Sequence, residues 1–307
     1  MKREGKKGLK KMKASDISSV GTYSFLFKGP FGFGKTLAAA SFAVEGPVYL
    51  AYWDKKSPIE LTTFFTEKRF GSLAKKILDN IEYDVYDASN AGDYLNKIIS
   101  MLDKCPYFAT INDSITFMTS GAVNWSLNFG KNQRVMKKMK DVIPDFDQYK
   151  VETSLVSQCI DLSRRLPCHV IWTAHPLAGI SVSGGSGSIT VSKTNPIVSY
   201  GSKVASLVPG SFTEIYHFSQ QSNWSNTEGK SSKKYMVSTE AIGDEFAKSP
   251  LLGDYVKEFD ITDKLFYHVW KDLIDKSRGI EPKIDDNMKN AIIANNLNSG
   301  IAKNPWA

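Results

Sequence analysis

Apolar residues along this chain fall into two rhythms that take turns. Short runs of β-branched and aromatic residues predict strands over 23–27, 48–53, 81–86, 107–112, 169–174, 214–218 and 235–238. Between them, segments 35–44, 91–102, 151–166 and 263–275 have the spacing of helices. In the third of these, Val151, Leu155, Cys159 and Leu162 form one apolar stripe. The central runs hardly alternate polar with apolar positions, which is the mark of strands covered on both faces. Strands that take turns with helices predict an α/β fold, with a mostly parallel central sheet flanked by helices.

Two stretches depart from the rhythm. Residues 119–148 read as a long insert, partly basic through Lys131, Arg134, Lys137, Lys138 and Lys140. Residues 179–195, GISVSGGSGSITVSKTN, read as a flexible loop or a loose hairpin, because Gly, Ser and Thr dominate. Both are long for plain connections, and long loops are often functional.

The chemistry begins where the first strand ends. GPFGFGKT fits the pattern G-x-x-x-x-G-K-[ST], with Gly29, Gly34, Lys35 and Thr36 at the defining positions. Gly29, Gly32 and Gly34 let the backbone turn sharply and aim N–H groups at phosphate oxygens, and Pro30, Phe31 and Phe33 complete the loop. Lys35 is expected on the β- and γ-phosphates of ATP and the Thr36 hydroxyl on Mg²⁺. Such a site needs a second acid for the metal. YFATIND ends an apolar strand in a carboxylate, so Asp113 is that acid, with Ser114 beside it. The strand over 169–174 ends at His175, which is positioned to sense the γ-phosphate, since strand carboxyl ends line the ligand crevice of open α/β sheets. For the group that orients the attacking water, Asp54 comes first and Glu60 second, both just beyond the strand over 48–53.

Taken together, the glycine loop, an acid after the second strand, INDSIT, and IWTAH with a loop behind it resemble the RecA-like branch of P-loop ATPases. More narrowly, the chain resembles the AAA-type ATP-binding proteins of tailed phages, including RecA-like single-strand annealing ATPases. KVETSLVSQCIDLSRRLPCHVIWTAHP (150–176), YGSKVASLVPGSFTEIYHF and YMVSTEAIGDEFAKSP carry this likeness, which spans about residues 20–250. The resemblance implies nucleotide and metal at Lys35 and Thr36, Asp113 as the strand-end acid, and His175 as a sensor. It also implies that 119–148 and 179–195 correspond to the two DNA-facing loops. One departure stands out. RecA-like recombinases place a catalytic Glu two residues after the acid that ends the second strand, and here that position is Lys56. Either Asp54 or Glu60 substitutes, or hydrolysis is slow.

Charge adds one feature. Residues 1–13 hold seven Lys and Arg against Glu4, which accounts for six of the seven net positive charges. The basic character therefore belongs to a tail suited to polyanions, and the body is near neutral. The organisation read from the sequence is a basic flexible tail at 1–18, a RecA-like P-loop domain at 19–250, and a C-terminal helical extension with a frayed end at 251–307. No run of 18 apolar residues is present, so no membrane span is expected. Three cysteines without metal-ligand spacing fit a reducing cytoplasm, that of the host if the chain is phage-encoded. The function expected is an Mg²⁺-dependent ATPase acting on single-stranded DNA in phage-type recombination or replication. Other phage replication or recombination proteins are further partners, and a homo-oligomer would complete the site with a Lys from a neighbouring subunit, the choices being Lys203, Lys230, Lys233 and Lys234. Trp125 is a candidate stacking platform for bases. Two other readings stay open: an ATP-driven motor or remodeller of a protein or duplex partner, and a nucleotide-gated binding module with little hydrolysis.

Overall fold

Ten strands run in chain order through the described residues: β1 (Ser24–Lys28), β2 (Val48–Tyr52), β3 (Ile81–Val85), β4 (Ala109–Asp113), β5 (His169–Ala174), β6 (Leu177–Val182), β7 (Ile189–Asn195), β8 (Glu214–Trp224), β9 (Ser231–Ser238) and β10 (Glu258–Asp260). The structure, a computed structural model, describes residues 21–54, 57–128, 144, 146–182, 189–195, 208–224, 231–241 and 247–280. The basic tail, Lys56, the basic cluster at 131–140, Lys203 and Lys230 lie outside these residues.

Eight strands form one sheet in the order β3-β2-β4-β5-β1-β8-β9-β10. From β3 to β8 all pairs are parallel, and β8-β9 and β9-β10 are antiparallel. The sheet is thus mixed and mostly parallel. β5 lies between β1 and β4, so the strand ahead of the glycine loop and the strand that ends in Asp113 are not neighbours. β6 and β7 make a separate antiparallel hairpin, the second of the two sequence alternatives for 179–195.

β2, β4 and β5 are buried along their whole length. Alternate residues serve opposite cores, as the two-residue period of a strand requires. Phe25, Phe27, Val48, Leu50 and Tyr52 enter one core, while Leu26, Tyr49 and Ala51 enter the other. The first core is covered by α1 (Lys35–Ala40), its 3₁₀ continuation Ser41–Val44, three short helices α2 (Ile59–Phe64), α3 (Glu67–Phe70) and α4 (Ser72–Asp79), and, from the far end of the chain, α8 (Phe266–Ser277). The second is covered by α5 (Ala91–Asp103), α6 (Ile115–Asn128) and α7 (Phe146–Ser163).

Three differences from the sequence reading have physical causes. Residues 119–128 belong to helix α6 and are not loop; the helix is packed between β5, α5 and α7 and intersperses Thr, Ser and Asn among its apolar residues, and so shows no single stripe. Trp125, read as a stacking platform, is half-buried there, with its ring against Gly92. The helix expected over 35–44 tightens to 3₁₀ after Ala40, where Ser41 Oγ donates to Ala38 O at 2.6 Å and accepts from the Tyr267 N–H at 2.9 Å. The stretch set apart as an extension contributes β10 to the sheet edge and α8 to the first core. Phe266 and Trp270 pack there on Phe27 and Phe25, with centroids 5.0 and 5.4 Å apart.

A buried polar chain ties α8 to the sheet. Trp270 Nε1 donates to the Tyr216 hydroxyl at 3.0 Å, Tyr216 donates to Glu214 Oε2 at 3.0 Å, and Ser249 donates to the same oxygen. Glu214 is only 1% exposed, and burial pushes its carboxyl up to about 7, against the hydroxyl donors, the Leu251 N–H and nearby Lys248. A carboxyl raised in the folded state holds its proton longer than in the unfolded chain. Its contribution to stability is therefore largest below about pH 4.5 and falls as pH rises to about 7. Glu214→Gln is expected to raise stability by about 2–3 kcal/mol at pH 8, with the gain vanishing near pH 4.5. Urea denaturation of both forms at the two pH values checks this; a gain that does not depend on pH would contradict it.

Candidate functional site

β1 delivers the chain to the carboxyl edge of the sheet at Lys28, level with Ala174 of β5 and His217 of β8. The backbone then turns through Gly29, Gly32 and Gly34, with φ of 153°, 77° and 87°, values that favour glycine. Gly34 is the N-cap of α1, and its carbonyl accepts from the Ala38 N–H at 2.8 Å. Phe33 packs against the first core and anchors the loop. Phe31 is turned outward, 62% exposed, and stacks on the His175 ring at 3.7 Å.

Lys35 folds back under this loop and is 4% exposed. Its ammonium donates to Gly29 O at 2.7 Å, Pro30 O at 2.8 Å and His175 Nδ1 at 3.1 Å, which uses all three of its protons. Burial lowers the Lys35 amine to about 8, against the pull of the Asp113 carboxylate. Burial first, and the charge on Lys35 second, push His175 down to about 3, so it is neutral and its Nδ1 is an acceptor. The His175 backbone N–H donates to Thr116 Oγ1 at 3.0 Å, which fixes the end of β5 to α6.

Asp113 closes β4, 5% exposed. Its Oδ2 accepts from Thr36 Oγ1 at 2.6 Å and its Oδ1 accepts from Thr173 Oγ1. Burial pushes the carboxyl up, while the two threonine hydroxyls and the Lys35 charge hold it down. The Asp113–Ser114 peptide is cis, and Ser114, read as a neighbour in the site, accepts the Phe117 N–H at 3.4 Å at the start of α6.

The two carboxylates beyond β2 part company. Asp54 is exposed. Glu60, in the first turn of α2, turns back to β2, where its Oε1 accepts from the Tyr52 hydroxyl at 2.6 Å. Its Oε2 is buried without a hydrogen-bond partner among the described residues. Tyr52 stands level with Asp113 in the β2–β4 register, and the Glu60 charge acts on Asp113. Lys35, Thr36, Asp113, His175 and Glu60 therefore gather around one loop, and Asp54 stays at its margin. No sequence motif singles out Thr173, Tyr52 or Thr116, which support the site through Asp113, Glu60 and His175. Thr173 was foreseeable as the residue two before His175 on a strand ending beside Asp113, but only once β4 and β5 were known to pair.

This arrangement offers backbone N–H groups, one ammonium, one hydroxyl–carboxylate pair and a second carboxylate at a single crevice, a donor set suited to phosphate with a hard cation. No protein-family model matches the sequence, and no curated protein matches it.

The glycines of the loop separate two costs. A Cβ on Gly32 meets nothing within 4 Å, so Gly32→Ala carries only the left-handed backbone penalty, about 1–2 kcal/mol. A Cβ on Gly29 would sit 2.4 Å from Phe218 O, so Gly29→Ala is expected to cost about 1–3 kcal/mol more through the collision with β8. Denaturant melts of the two variants check the order; an equal loss, or a larger one for Gly32→Ala, would contradict it.

Proposed function

We propose that this chain is an Mg²⁺-dependent P-loop ATPase of RecA-like fold that acts on single-stranded DNA. The observation that carries the reading is the convergence of Lys35, Thr36, Asp113 and Glu60 on the glycine loop, at a sheet edge where β5 separates β1 from β4. In this account the loop N–H groups hold the β- and γ-phosphates, and the Lys35 ammonium exchanges Gly29 O and Pro30 O for phosphate oxygens. Thr36 and Asp113 are hard oxygen donors in contact, a pair that fits Mg²⁺, which supplies charge neutralisation at the phosphates when bound. Glu60, braced by Tyr52, presents its unpartnered oxygen to a water, takes its proton, and aims the water at the γ-phosphorus. The water oxygen bonds to phosphorus, the bond from the γ-phosphorus to the bridging oxygen breaks, and Lys35 stabilises the charge that collects there. This role for Glu60 answers the missing Glu at position 56.

The DNA half of the proposal is supported by His175. It touches Lys35 on one side, and the chain runs on through Pro176 into the β6–β7 hairpin, so phosphate occupancy and hairpin position share one residue. In the resemblance this hairpin corresponds to a DNA-facing loop.

The test is steady-state ATP hydrolysis with Mg²⁺, with and without single-stranded DNA. Lys35→Ala is expected to abolish turnover. Glu60→Gln should lower kcat by about 100-fold or more while ATP still binds, and Asp54→Asn should leave kcat within about threefold. Single-stranded DNA should raise kcat. Turnover untouched by Lys35→Ala overturns the ATPase reading, and turnover indifferent to DNA overturns the DNA half alone.

A further inference from the structure

At the amino-terminal edge of the sheet, opposite the glycine loop, two cysteines from separate parts of the chain meet. Cys105 stands between α5 and β4, and Cys168 immediately precedes β5. β4 and β5 pair in parallel from Ala109 and His169 onward, and the His169 N–H donates to Phe108 O at 3.0 Å, so the two approaches run side by side. The thiols are in hydrogen-bond contact, with Cys168 as the donor. Cys105 Sγ also lies 3.9 Å from Tyr107 O, and Cys168 Sγ 4.0 Å from Thr110 Oγ1. Both side chains belong to the second core, but unequally. Cys168 is 3% exposed, whereas Cys105 is half-buried at the rim, between exposed Lys104 and Pro106. The hydrogen bond from Cys168 holds the Cys105 thiol down, to about 7, against its burial and with help from the Tyr107 backbone. The same hydrogen bond, and burial after it, push Cys168 up. His169 takes no part: its Nδ1 accepts from the Tyr23 N–H at 3.2 Å, and its ring packs on Phe42 in the first core. Cys159, the third cysteine, is buried in α7, and burial alone raises its thiol.

We propose that Cys105 and Cys168 form a peroxide-reactive dithiol, in which Cys105 is oxidised first and Cys168 resolves it to a reversible disulfide. The two roles follow from the placement: the sulfur at the rim meets the oxidant, and the buried one touches only its partner. The thiolate is the nucleophile in this chemistry, and a donor on Cys105 favours that form. The Cys105 sulfur attacks one peroxide oxygen, the O–O bond breaks, and hydroxide leaves and takes up the proton that Cys105 gave up, forming water. Cys105 is then a sulfenic acid. The Cys168 sulfur attacks the Cys105 sulfur, the S–O bond breaks, and the Cys168 proton leaves with the hydroxyl as a second water. Two thiols are oxidised to one disulfide, and one peroxide is reduced to two waters. The sulfurs need only close from hydrogen-bond contact to about 2.05 Å. A half-buried sulfur suits a small oxidant such as hydrogen peroxide. The pair lies at the other end of β4 and β5 from Asp113 and His175, so nothing in this inference depends on the nucleotide reading.

Thiol counting and peptide mapping of the folded chain, before and after brief exposure to hydrogen peroxide, test this. The wild type is expected to lose two of its three free thiols, to yield a cross-linked Cys105–Cys168 peptide, and to regain both thiols with dithiothreitol. Before oxidation, iodoacetamide should alkylate Cys105 at least about tenfold faster than Cys159. Cys168→Ser should leave a sulfenic acid on Cys105 that dimedone traps, and Cys105→Ser should leave Cys168 and Cys159 as thiols. Mapping of the wild type needs no variant, so it decides the matter even where a variant does not fold. Three intact thiols after peroxide, equal oxidation of Cys105 and Cys159, or Cys105 carried to a sulfinic acid with no link to Cys168 would overturn the proposal. A cross-link formed only between two copies of the chain would overturn it as well.

Discussion

A lysine ammonium buried at 4% exposure needs three acceptors, and the carboxyl edge of this sheet is arranged around finding them. Two are carbonyls of the loop itself, Gly29 and Pro30, and the chain can present them only by turning through glycines. The third is a neutral histidine ring at the end of β5. That third acceptor requires β5 next to β1, which is where the sheet order puts it. With β5 there, β4 stands one strand further out, and Asp113 reaches Thr36 on one side and Thr173 on the other. The loop is therefore closed on its own cation, and Phe31 lies over His175 as its outer cover. The ammonium is thus shared among two carbonyls and an imidazole, and burial makes its proton easier to lose.

The same edge shows how the two cores position the chemistry. The first core fixes the loop from below, through Phe33, Phe27 and α8, and Phe218 backs Gly29 so closely that no side chain fits. The second core fixes His175 and Asp113, because α6 begins right after Asp113 and its Thr116 holds the end of β5. Movement of either helix layer would be felt at Lys35 from a different side. Among the described residues no helix is long and apolar enough to cross a membrane.

Much of this was legible in the sequence for a simple reason: it is local. Gly29 to Thr36 are contiguous, and Asp113 and His175 each follow an apolar run that could only be a strand. What was not legible depends on register or on segments too short for a period. Thr173 matters only through its pairing position beside Asp113. Where Asp54 and Glu60 stand relative to the loop depends on α2, six residues long and followed by helices of four and eight, each shorter than the window in which helical periodicity emerges. The sequence favoured Asp54 by proximity to the strand, whereas the fold leaves it exposed and turns Glu60 inward onto Tyr52. Helix α6 hid for the opposite reason, being buried on nearly every side. The stretch after residue 250 looked separable because its apolar positions, Phe266 and Trp270, meet partners more than 200 residues away.

The most direct measurement is a crystal structure with Mg²⁺ and a non-hydrolysable ATP analogue. The account predicts the triphosphate on the loop N–H groups, the Lys35 ammonium moved from Gly29 O, Pro30 O and His175 Nδ1 to phosphate oxygens, and the Thr36–Asp113 hydrogen bond opened. An analogue bound elsewhere, or a Lys35 that keeps its three contacts beside a bound triphosphate, would contradict it.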